Sequence, residues 1–270
     1  MADLTLERNR RSPAQMAGLV LLLLVAAFAL FGPAVIGVDP AAQSLSDSLQ
    51  QPGATHWLGA DVLGRSVLAR LAHAAQLSLG LALVAAFSAA IPGVLAGVCA
   101  SWCGGRTERA LLMLADAAMA VPGLLLILLF AALAPGQYWA IYAGLSLSLW
   151  VEYFRVARAA SRPVLHGDAV QASRLLGFGK RYVLRRHVLP ALAPLLATLL
   201  PLSAAQAVLA LAALGFIGVG LQPPTPELGV MMIEFFPFYS EAPWLIAAPV
   251  LLLILLVLGM MLLAGEKETA

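Results

Sequence analysis

The sequence predicts an all-α integral membrane protein that crosses the bilayer six times. Hydrophobic residues make up 61% of the 270 positions and charged residues only 11%, a surplus that a water-soluble globule of this length cannot bury. Six segments also reach the roughly 20 apolar residues that a helix needs to cross the hydrocarbon core. These segments are Met16 to Val38, Ala74 to Trp102, Ala110 to Leu133, Tyr138 to Val156, Val188 to Gly220 and Trp244 to Ala264.

The first apolar segment follows a short basic stretch, residues 1–15, an order that also occurs in cleaved signal peptides. The apolar part of a signal peptide is about 7–15 residues long, whereas the run from Met16 to Val38 is longer. We therefore interpret this segment as a retained membrane anchor that follows a cytoplasmic tail.

Two longer connections are expected on the outer side of the membrane. The first, residues 39–73, begins with turn-forming sequence, and its apolar side chains between Asp61 and Leu71 follow a helical stripe, which predicts a short surface helix. The remaining segments, residues 74–264, then form a five-helix core. The second outer connection, residues 221–243, is rich in proline, phenylalanine and glutamate, and we expect its acidic groups to face water.

The basic residues lie almost entirely on one side of this arrangement. Six crossings place 14 of the 16 lysines and arginines on one face, and basic residues close to a span mark the cytoplasmic side. Both termini are therefore expected in the cytoplasm, including a short tail over residues 265–270. The cytoplasmic set is Arg8, Arg10, Arg11, Arg106, Arg109, Arg155, Arg158, Arg162, Arg174, Lys180, Arg181, Arg185, Arg186 and Lys267, and the outer set is Arg65 and Arg70.

Two acidic residues, Asp116 and Glu152, fall within or at the edge of the apolar segments. A carboxylate inside a membrane is a functional candidate by default and is usually paired. Glu152 stands three residues before Arg155, a spacing that favours an ion pair on one helix face. Asp116 can bond an arginine or the backbone of a neighbouring helix. Structural pairing is therefore favoured over a proton relay.

The sequence offers no recognisable site for a metal, a nucleotide or another cofactor. Its two cysteines, Cys99 and Cys103, are too few for a four-ligand zinc site and are interpreted as packing residues. A phosphate-binding loop ending at Lys180 would need glycine at position 174 and serine or threonine at position 181, where the sequence has two arginines. No constellation of hydrolytic residues lies at membrane depth, so the chain is not expected to be an enzyme.

The polar segment between the fourth and fifth apolar segments, residues 157–190, contains the pattern of a short amphipathic helix that ends at Gly177. Its small side chains allow a partner's backbone to approach closely, and its basic residues complement an acidic protein or lipid headgroups. The segment is either a docking site or a solvated basic loop that only fixes topology. The residues on one helix face are Ala169, Ala172 and Leu176, with Ser173 beside them.

A series of ordered motifs follows the pattern of one transporter family. They are H-W-L-G-A-D-V-L-G-R-S-V-L-A-R-L from His56 to Leu71, G-G-R-T-E-R from Gly104 to Arg109, A-D-A-A-M-A-V-P-G from Ala115 to Gly123, the segment from Asp168 to Pro190, L-G-F-I-G-V-G-L-Q-P-P-T-P from Leu214 to Pro226, and A-P-W from Ala242 to Trp244. By these motifs the chain resembles the dipeptide, oligopeptide and nickel permease family of ATP-binding-cassette (ABC) importers, specifically its second permease subunit. The likeness runs from about His56 to Ala264.

The resemblance implies the type I architecture of ABC importer transmembrane domains, with a cytoplasmic coupling helix that sits in a cleft of a separate ATPase. The family motif usually begins Glu-Ala-Ala, and the corresponding residues here are Gln171, Ala172 and Ser173, so the usual glutamate is absent. The residues expected to couple to the ATPase are Asp168, Ala169, Gln171, Ala172, Ser173, Arg174, Leu176, Gly177, Leu189 and Pro190.

The resemblance also implies a multi-part assembly in the bacterial cytoplasmic (inner) membrane, in contact with its lipids. The expected parts are this chain, a homologous second permease, two ABC ATPase subunits and an extracytoplasmic substrate-binding protein. ATP and magnesium then bind to the ATPase subunits and not to this chain. No nucleic-acid partner is expected.

The substrate is the least determined part of this interpretation. Short peptides and nickel, either free or chelated by a small metallophore, are both implied by the resemblance, and other peptide-like solutes such as opines or glutathione remain open. A secondary carrier or a channel without an ATPase is the alternative from a different class. A secondary carrier more often shows internal repeats and several intramembrane charges, and the sequence shows neither.

Overall fold

The computed structural model describes residues 12–265, and over this range the chain is helical apart from its connections and one isolated bridge between Ala60 and Ser66. Arg8, Arg10, Arg11 and Lys267 lie outside the described residues. The α-helices are α1 Pro13–Ile36, α2 Val67–Cys103, α3 Gly105–Met119, α4 Gly123–Leu133, α5 Tyr138–His166, α6 Asp168–Leu175, α7 Lys180–Val183, α8 Leu189–Ile217, α9 Leu228–Phe235 and α10 Pro243–Ala264.

Four helical stretches of the described chain are long and apolar enough to cross a membrane, and the bent pair α3 and α4 is a fifth if it is taken as one span. Helix α5 has 29 residues, but its predicted span includes Glu152 and Arg155 and is therefore less apolar. Length and composition alone thus do not confirm the predicted count of six. The four stretches are Pro13–Ile36, Val67–Cys103, Lys180–Ile217 and Pro243–Ala264.

The third predicted crossing, Ala110 to Leu133, is wrong as a single helix. Helix α3 ends at Met119, α4 begins at Gly123, and the two axes differ by 75°. Pro122 explains the break, because its ring has no N–H to donate to the preceding turn and disfavours helical dihedral angles in the residue before it. The bend opens a hollow between α3, α4 and the neighbouring helices.

The separate surface helix expected between Asp61 and Leu71 does not form. Helix α2 instead begins at Val67, after the capping residue Ser66, and continues without interruption through the second predicted crossing. Before the cap, the Asp61 carboxylate accepts two backbone N–H groups at 2.9 Å each. Such local hydrogen bonds favour a tight turn over a helix.

Helices α2 and α5 form the centre of the bundle through direct backbone contact. A Cβ atom at Gly93 would lie 2.5 Å from the carbonyl oxygen of Trp150, and one at Gly97 would lie 2.5 Å from that of Phe154. Two glycines four residues apart are a recurrent device for close helix approach in membranes, where packing replaces the hydrophobic effect. Substitution of either glycine therefore has to push the two helices apart.

The two described ends of the chain lie side by side. Ser12 and Gln15 form a reciprocal capping pair at the start of α1, and the Gln15 side chain donates to the carbonyl oxygen of Gly265 at 2.6 Å. Farther along, a Cβ atom at Gly18 would lie 2.7 Å from that of Leu262. Helices α1 and α10 are thus packed together, and both described ends lie at the same end of the bundle.

The second outer connection contains α9, which packs into the bundle and does not lie free in solvent. Leu228, Met231 and Phe235 on this helix are buried, and a Cβ atom at Gly229 would lie 1.9 Å from the carbonyl oxygen of Ala212 on α8. Helix α9 also contacts α2 and α10. It therefore joins the ends of three long helices at one end of the molecule.

Candidate coupling segment and outer charge cluster

Helix α6 forms where the amphipathic pattern predicts it, between α5 and α8. It follows α5 after a single residue, Gly167, and it ends just before Gly177, whose φ of 82° is in the left-handed region. The N–H of Phe178 then donates to the carbonyl oxygen of Ser173 at 3.1 Å. Glycine favours this conformation because it has no Cβ atom. The predicted helix and its glycine terminator are confirmed.

One face of α6 is held against the rest of the protein by Val170 and Ser173, which are buried. The Ser173 hydroxyl donates to the carbonyl oxygen of Ala169 at 2.9 Å, so it accepts from Nε2 of His187, which lies at 3.0 Å. Val170 belongs to a small apolar cluster shared by α5, α6, α7 and the start of α8. The buried members of this cluster are Ala157, Leu165, Val170, Val183, Val188 and Leu192.

The opposite face of α6 is apolar and exposed. Leu175 and Leu176 are 90% and 76% exposed, and the side chains of Ala169 and Ala172 beside them are also exposed. We call these four residues the docking face. These two leucines lie outside the predicted membrane crossings, so in the chain alone they would be exposed to water. An exposed apolar patch of this kind marks a site of contact with another molecule.

The coupling segment also carries five basic residues, which we call the cationic flank. All five are exposed, and none takes part in an ion pair among residues 12–265. One of them, Arg174, lies with its Cζ atom 5.8 Å from the centre of the Trp102 ring. The docking face and the flank together suit an acidic partner with an apolar cleft. The flank consists of Arg174, Lys180, Arg181, Arg185 and Arg186.

The other residues predicted for coupling lie at the two ends of the segment. Asp168 is the first residue of α6, where a carboxylate complements the helix dipole. Gln171 donates from its side chain to the carbonyl oxygen of His166 at 3.0 Å, so it ties α6 to the end of α5. Leu189 and Pro190 begin α8 after a π-helical turn over 184–188, and Leu189 is exposed.

The predicted ion pair between Glu152 and Arg155 is wrong. Arg155 instead donates to the carboxylate of Asp116 on α3 at 2.8 Å, one of the two partnerships expected for Asp116. Helix α3 contacts α5, which brings Asp116 within reach of Arg155. Glu152 is consequently left with neither a hydrogen bond nor an ion pair among the residues that the structure describes.

A cluster of four charged side chains lies at the opposite end of the molecule from α6. Arg65 and Arg70 each contact the carboxylate of Asp61 at 2.6 Å and also bond Glu234 on α9. Asp61 and Arg70 are fully buried, and Arg70 also lies over the ring of Phe235. We call Asp61, Arg65, Arg70 and Glu234 the outer charge cluster. It fixes the first outer connection to α2 and α9.

Beside this cluster, Glu227 is buried at the start of α9. Its carboxylate accepts the N–H of Val230 at 3.0 Å and lies 3.5 Å from the Ser78 hydroxyl on α2. Burial raises the pKa of Glu227 to about 7, although backbone N–H groups of α9 act in the opposite direction. The prediction that acidic groups of this connection face water therefore holds for the exposed Glu241 but is wrong for Glu227.

The sequence interpretation missed the outer charge cluster because its members are far apart in the chain. Arg70 and Glu234 are separated by 164 positions, and nothing in a single sequence pairs them. It was also wrong about Cys99 and Cys103, which are exposed with their sulfur atoms 3.9 Å apart. Over the part of the chain that the structure describes, no three His, Cys, Asp or Glu side chains form a group that could hold a metal ion.

Two known protein families match this chain. Residues 90–265 match the model of the binding-protein-dependent transport system inner membrane component, and residues 3–52 match the N-terminal transmembrane domain of oligopeptide transport permease C. Among solved structures, a chain of the methionine ABC transporter in inward-facing conformations is similar with a TM-score of 0.54. That match is 20% identical and covers 68% of this chain and 88% of the other, so it supports the fold alone.

Curated relatives are similar over nearly the whole chain. The di/tripeptide transport system permease protein of Pseudomonas aeruginosa is 38% identical, over 94% of this chain and 86% of that protein. A putative peptide transport system permease protein of Brucella suis is 36% identical, over 91% and 83%. The oligopeptide transport system permease protein of Bacillus subtilis is 28% identical, over 90% and 79%.

These matches cover both the coupling segment and the outer connections. The predicted ABC importer fold, the multi-pass location in the inner membrane and the absence of a catalytic role in this subunit agree with them. The chain belongs to the family of binding-protein-dependent transport system inner membrane components, as a non-catalytic permease of the dipeptide and oligopeptide class of ABC importers.

Proposed function

We propose that this chain is one of two permease subunits in a five-part importer that moves short peptides into the cell. The other parts are a homologous permease, two ATPase subunits that bind ATP and magnesium, and an external binding protein that delivers the substrate. The observation that carries the proposal is the docking face, which exposes Leu175 and Leu176 in a segment with five exposed basic residues that form no ion pair within residues 12–265. Such a surface needs a partner of matching shape and charge.

The coupling segment is connected so that a displacement of α6 reaches two long helices. A single residue, Gly167, separates α6 from α5, and the side chain of Gln171 reinforces that junction. The bond between Ser173 and His187 joins α6 to the turn that leads into α8. When ATP closes the ATPase dimer, the movement of α6 is passed to α5 and α8, which then switch the pathway between its inward-open and outward-open forms.

The proposed orientation places α6 and both termini in the cytoplasm. The bond between Gln15 and Gly265 supports a common side for the two ends, and the basic residues of the flank favour the cytoplasmic face. In this orientation the outer charge cluster and α9 lie at the outer end of the molecule, on the same side of the membrane as the binding protein. The usual glutamate of the coupling motif is replaced by Gln171, which uses its side-chain amide within the chain.

The substrate class rests on the relatives, whose printed names specify di- and tripeptides, peptides and oligopeptides. Nickel, the other substrate considered from the sequence, has no such support. Uptake into vesicles that contain the full importer distinguishes the two. We expect accumulation of labelled di- and tripeptides that depends on ATP and stops with a hydrolysis-deficient ATPase. Accumulation of nickel that peptides do not compete away would overturn the peptide assignment.

The coupling role is tested by Ala172→Arg, which places a long cation on the docking face. We expect peptide uptake and peptide-stimulated ATP hydrolysis to fall by roughly 30-fold, the effect of ~2 kcal/mol at an interface hot spot. The amount of protein in the membrane should stay unchanged, because Ala172 is exposed. The measurement is uptake together with co-purification of the ATPase.

The matched control is Ala54→Arg, the same substitution at an exposed position of the first outer connection. This variant should co-purify with the ATPase as the wild type does. Deletion of residues 171–176 should reproduce the uncoupling of Ala172→Arg. Wild-type uptake by either coupling variant would exclude α6 as the coupling helix.

A further inference from the structure

A cavity of about 530 Å³ with a partly polar lining opens at the bend between α3 and α4, beside α5 and α8. Its polar lining consists of Ser148, Glu152 and Arg155 on α5 and Gln206 on α8. The spacing of four and three residues places the first three on one side of α5. Gln206 is exposed although it comes from the middle of an otherwise apolar helix. The polar groups of a hollow among membrane-spanning helices face water or protein, because lipid cannot solvate them.

Within this cavity the carboxylate of Glu152 has no partner among residues 12–265. The nearest basic residue along the helix, Arg155, is already engaged with Asp116 at 2.8 Å. Charged groups at membrane depth are costly, so they are paired or serve a ligand pathway. The cavity therefore presents an acceptor for a positive charge that the described chain does not supply.

A second cavity, of about 670 Å³, lies on the other side of the same bend and is almost entirely apolar. Ala118, Val121 and Leu126 line both cavities, so a partly polar compartment and an apolar one meet at this point. Each is within the range of roughly 300–1,000 Å³ that small ligands occupy. A short peptide has the matching chemistry, with a charged ammonium group and uncharged side chains of variable size.

We propose that Glu152 is a specificity-determining residue that receives the positively charged group of a peptide as it passes through the importer. The cavity is open, so this contact is partly exposed to water and weak, which allows the peptide to leave on the inner side. The site favours peptides with an additional positive charge over those with an additional negative charge. The inference rests on the proposed peptide-import function and adds a charge preference inside the permease.

The test uses the complete importer in vesicles and three dipeptides, alanyl-lysine, alanyl-alanine and alanyl-aspartate. The binding protein is saturated with each peptide, and its loading is measured separately, so its own selectivity is removed from the comparison. We expect wild-type maximal rates to fall in the order lysine, alanine, aspartate. In Glu152→Gln the ratio of the lysine to the aspartate peptide should fall by up to about fivefold, the value of a partly exposed ion pair.

Two variants separate this effect from a loss of structure. Glu152→Asp keeps the charge and should keep the order of rates, and Glu241→Gln removes an exposed outer carboxylate and should change nothing. An equal loss of all three rates in Glu152→Gln, or an unchanged ratio, would overturn the inference while leaving peptide import intact. Failure of the wild-type importer to transport any of the three dipeptides would instead contradict the proposed function, and the inference would fail with it.

Discussion

The cationic flank and the outer charge cluster both rely on arginine, but they place its charge in opposite environments. On the flank, residues such as Arg181 and Arg185 are exposed and have no ion-pair partner within the described chain. In the outer charge cluster, Arg65 and Arg70 are buried, and each bonds the same two carboxylates. The arginines at one end of the molecule therefore remain available to a partner, whereas those at the other end are paired with carboxylates of the same chain.

This difference separates a docking surface from a structural joint. A buried guanidinium loses its hydration and is tolerated only when carboxylates and hydrogen bonds replace it. The outer cluster meets that requirement and, in doing so, connects the first outer loop, α2 and α9. Exposed arginines lose little hydration and contribute little to folding. Stability should therefore depend on the outer cluster, and partner binding should depend on the flank.

The largest effect on stability is expected from Arg70→Ala. The substitution leaves Asp61 buried with one fewer cation and removes the contact with the Phe235 ring. Loss of one member of a buried ion pair costs about 3–5 kcal/mol, so we expect a lower unfolding temperature in detergent and a lower yield of folded protein. Circular dichroism on heating provides the measurement.

Arg186→Ala is the matched control on the flank, because it removes the same side chain from an exposed position. Its unfolding temperature should equal that of the wild type. Equal destabilisation by the two substitutions would show that the outer cluster is no more important to the fold than a surface residue. It would contradict the assignment of stability to one end of the molecule and partner binding to the other.

A smaller, pH-dependent effect is expected from Glu227 beside the outer cluster. Its pKa is about 7 in the folded chain, above the ordinary glutamate value of 4.5, so the folded state binds the proton more tightly than the unfolded state. The contribution of Glu227 to the free energy of unfolding should therefore be largest below about pH 4.5 and be lost as the pH rises to about 7, a change of up to ~3 kcal/mol. Glu227→Gln should abolish this slope, as measured by unfolding temperatures at several pH values.

The exposed Glu241 supplies the control for this titration. Glu241→Gln should retain the wild-type slope, because it removes an exposed carboxyl from the same outer connection and leaves Glu227 in place. If Glu227→Gln loses stability with rising pH in parallel with the wild type, another group is responsible for the slope.

Hydrophobic length and local helix signals predicted much of the molecule. The apolar segments at Met16 and Trp244 correspond to α1 and α10 within a few residues, because a lipid-exposed helix must satisfy its backbone internally and be apolar nearly all round. Helix α6 and its end at Gly177 were also predicted, since the amphipathic pattern and the terminating glycine are both local features.

The features that the sequence did not predict depend on contacts between distant residues or on competition between local signals. The partnership of Arg70 with Glu234 spans 164 positions, and that of Arg155 with Asp116 spans 39 positions and joins two different helices. The helical spacing predicts Arg155 as the partner of Glu152, but in the folded chain Arg155 bonds a residue on another helix. Spacing shows which pairs are possible, and only the fold decides which of them form.

The smallest effect on stability is expected from the double substitution Arg181→Ala and Arg185→Ala in the flank. Both side chains are exposed, so the free energy of unfolding should stay within about 0.5 kcal/mol of the wild type. Co-purification with the ATPase should nevertheless decrease, and rising salt should weaken the wild-type complex more than the variant, because salt screens exposed charges.

Arg106→Ala, at an exposed arginine on α3 outside the flank, should leave co-purification unchanged. Lower stability of the double variant with normal ATPase binding would reverse the roles assigned to the two ends.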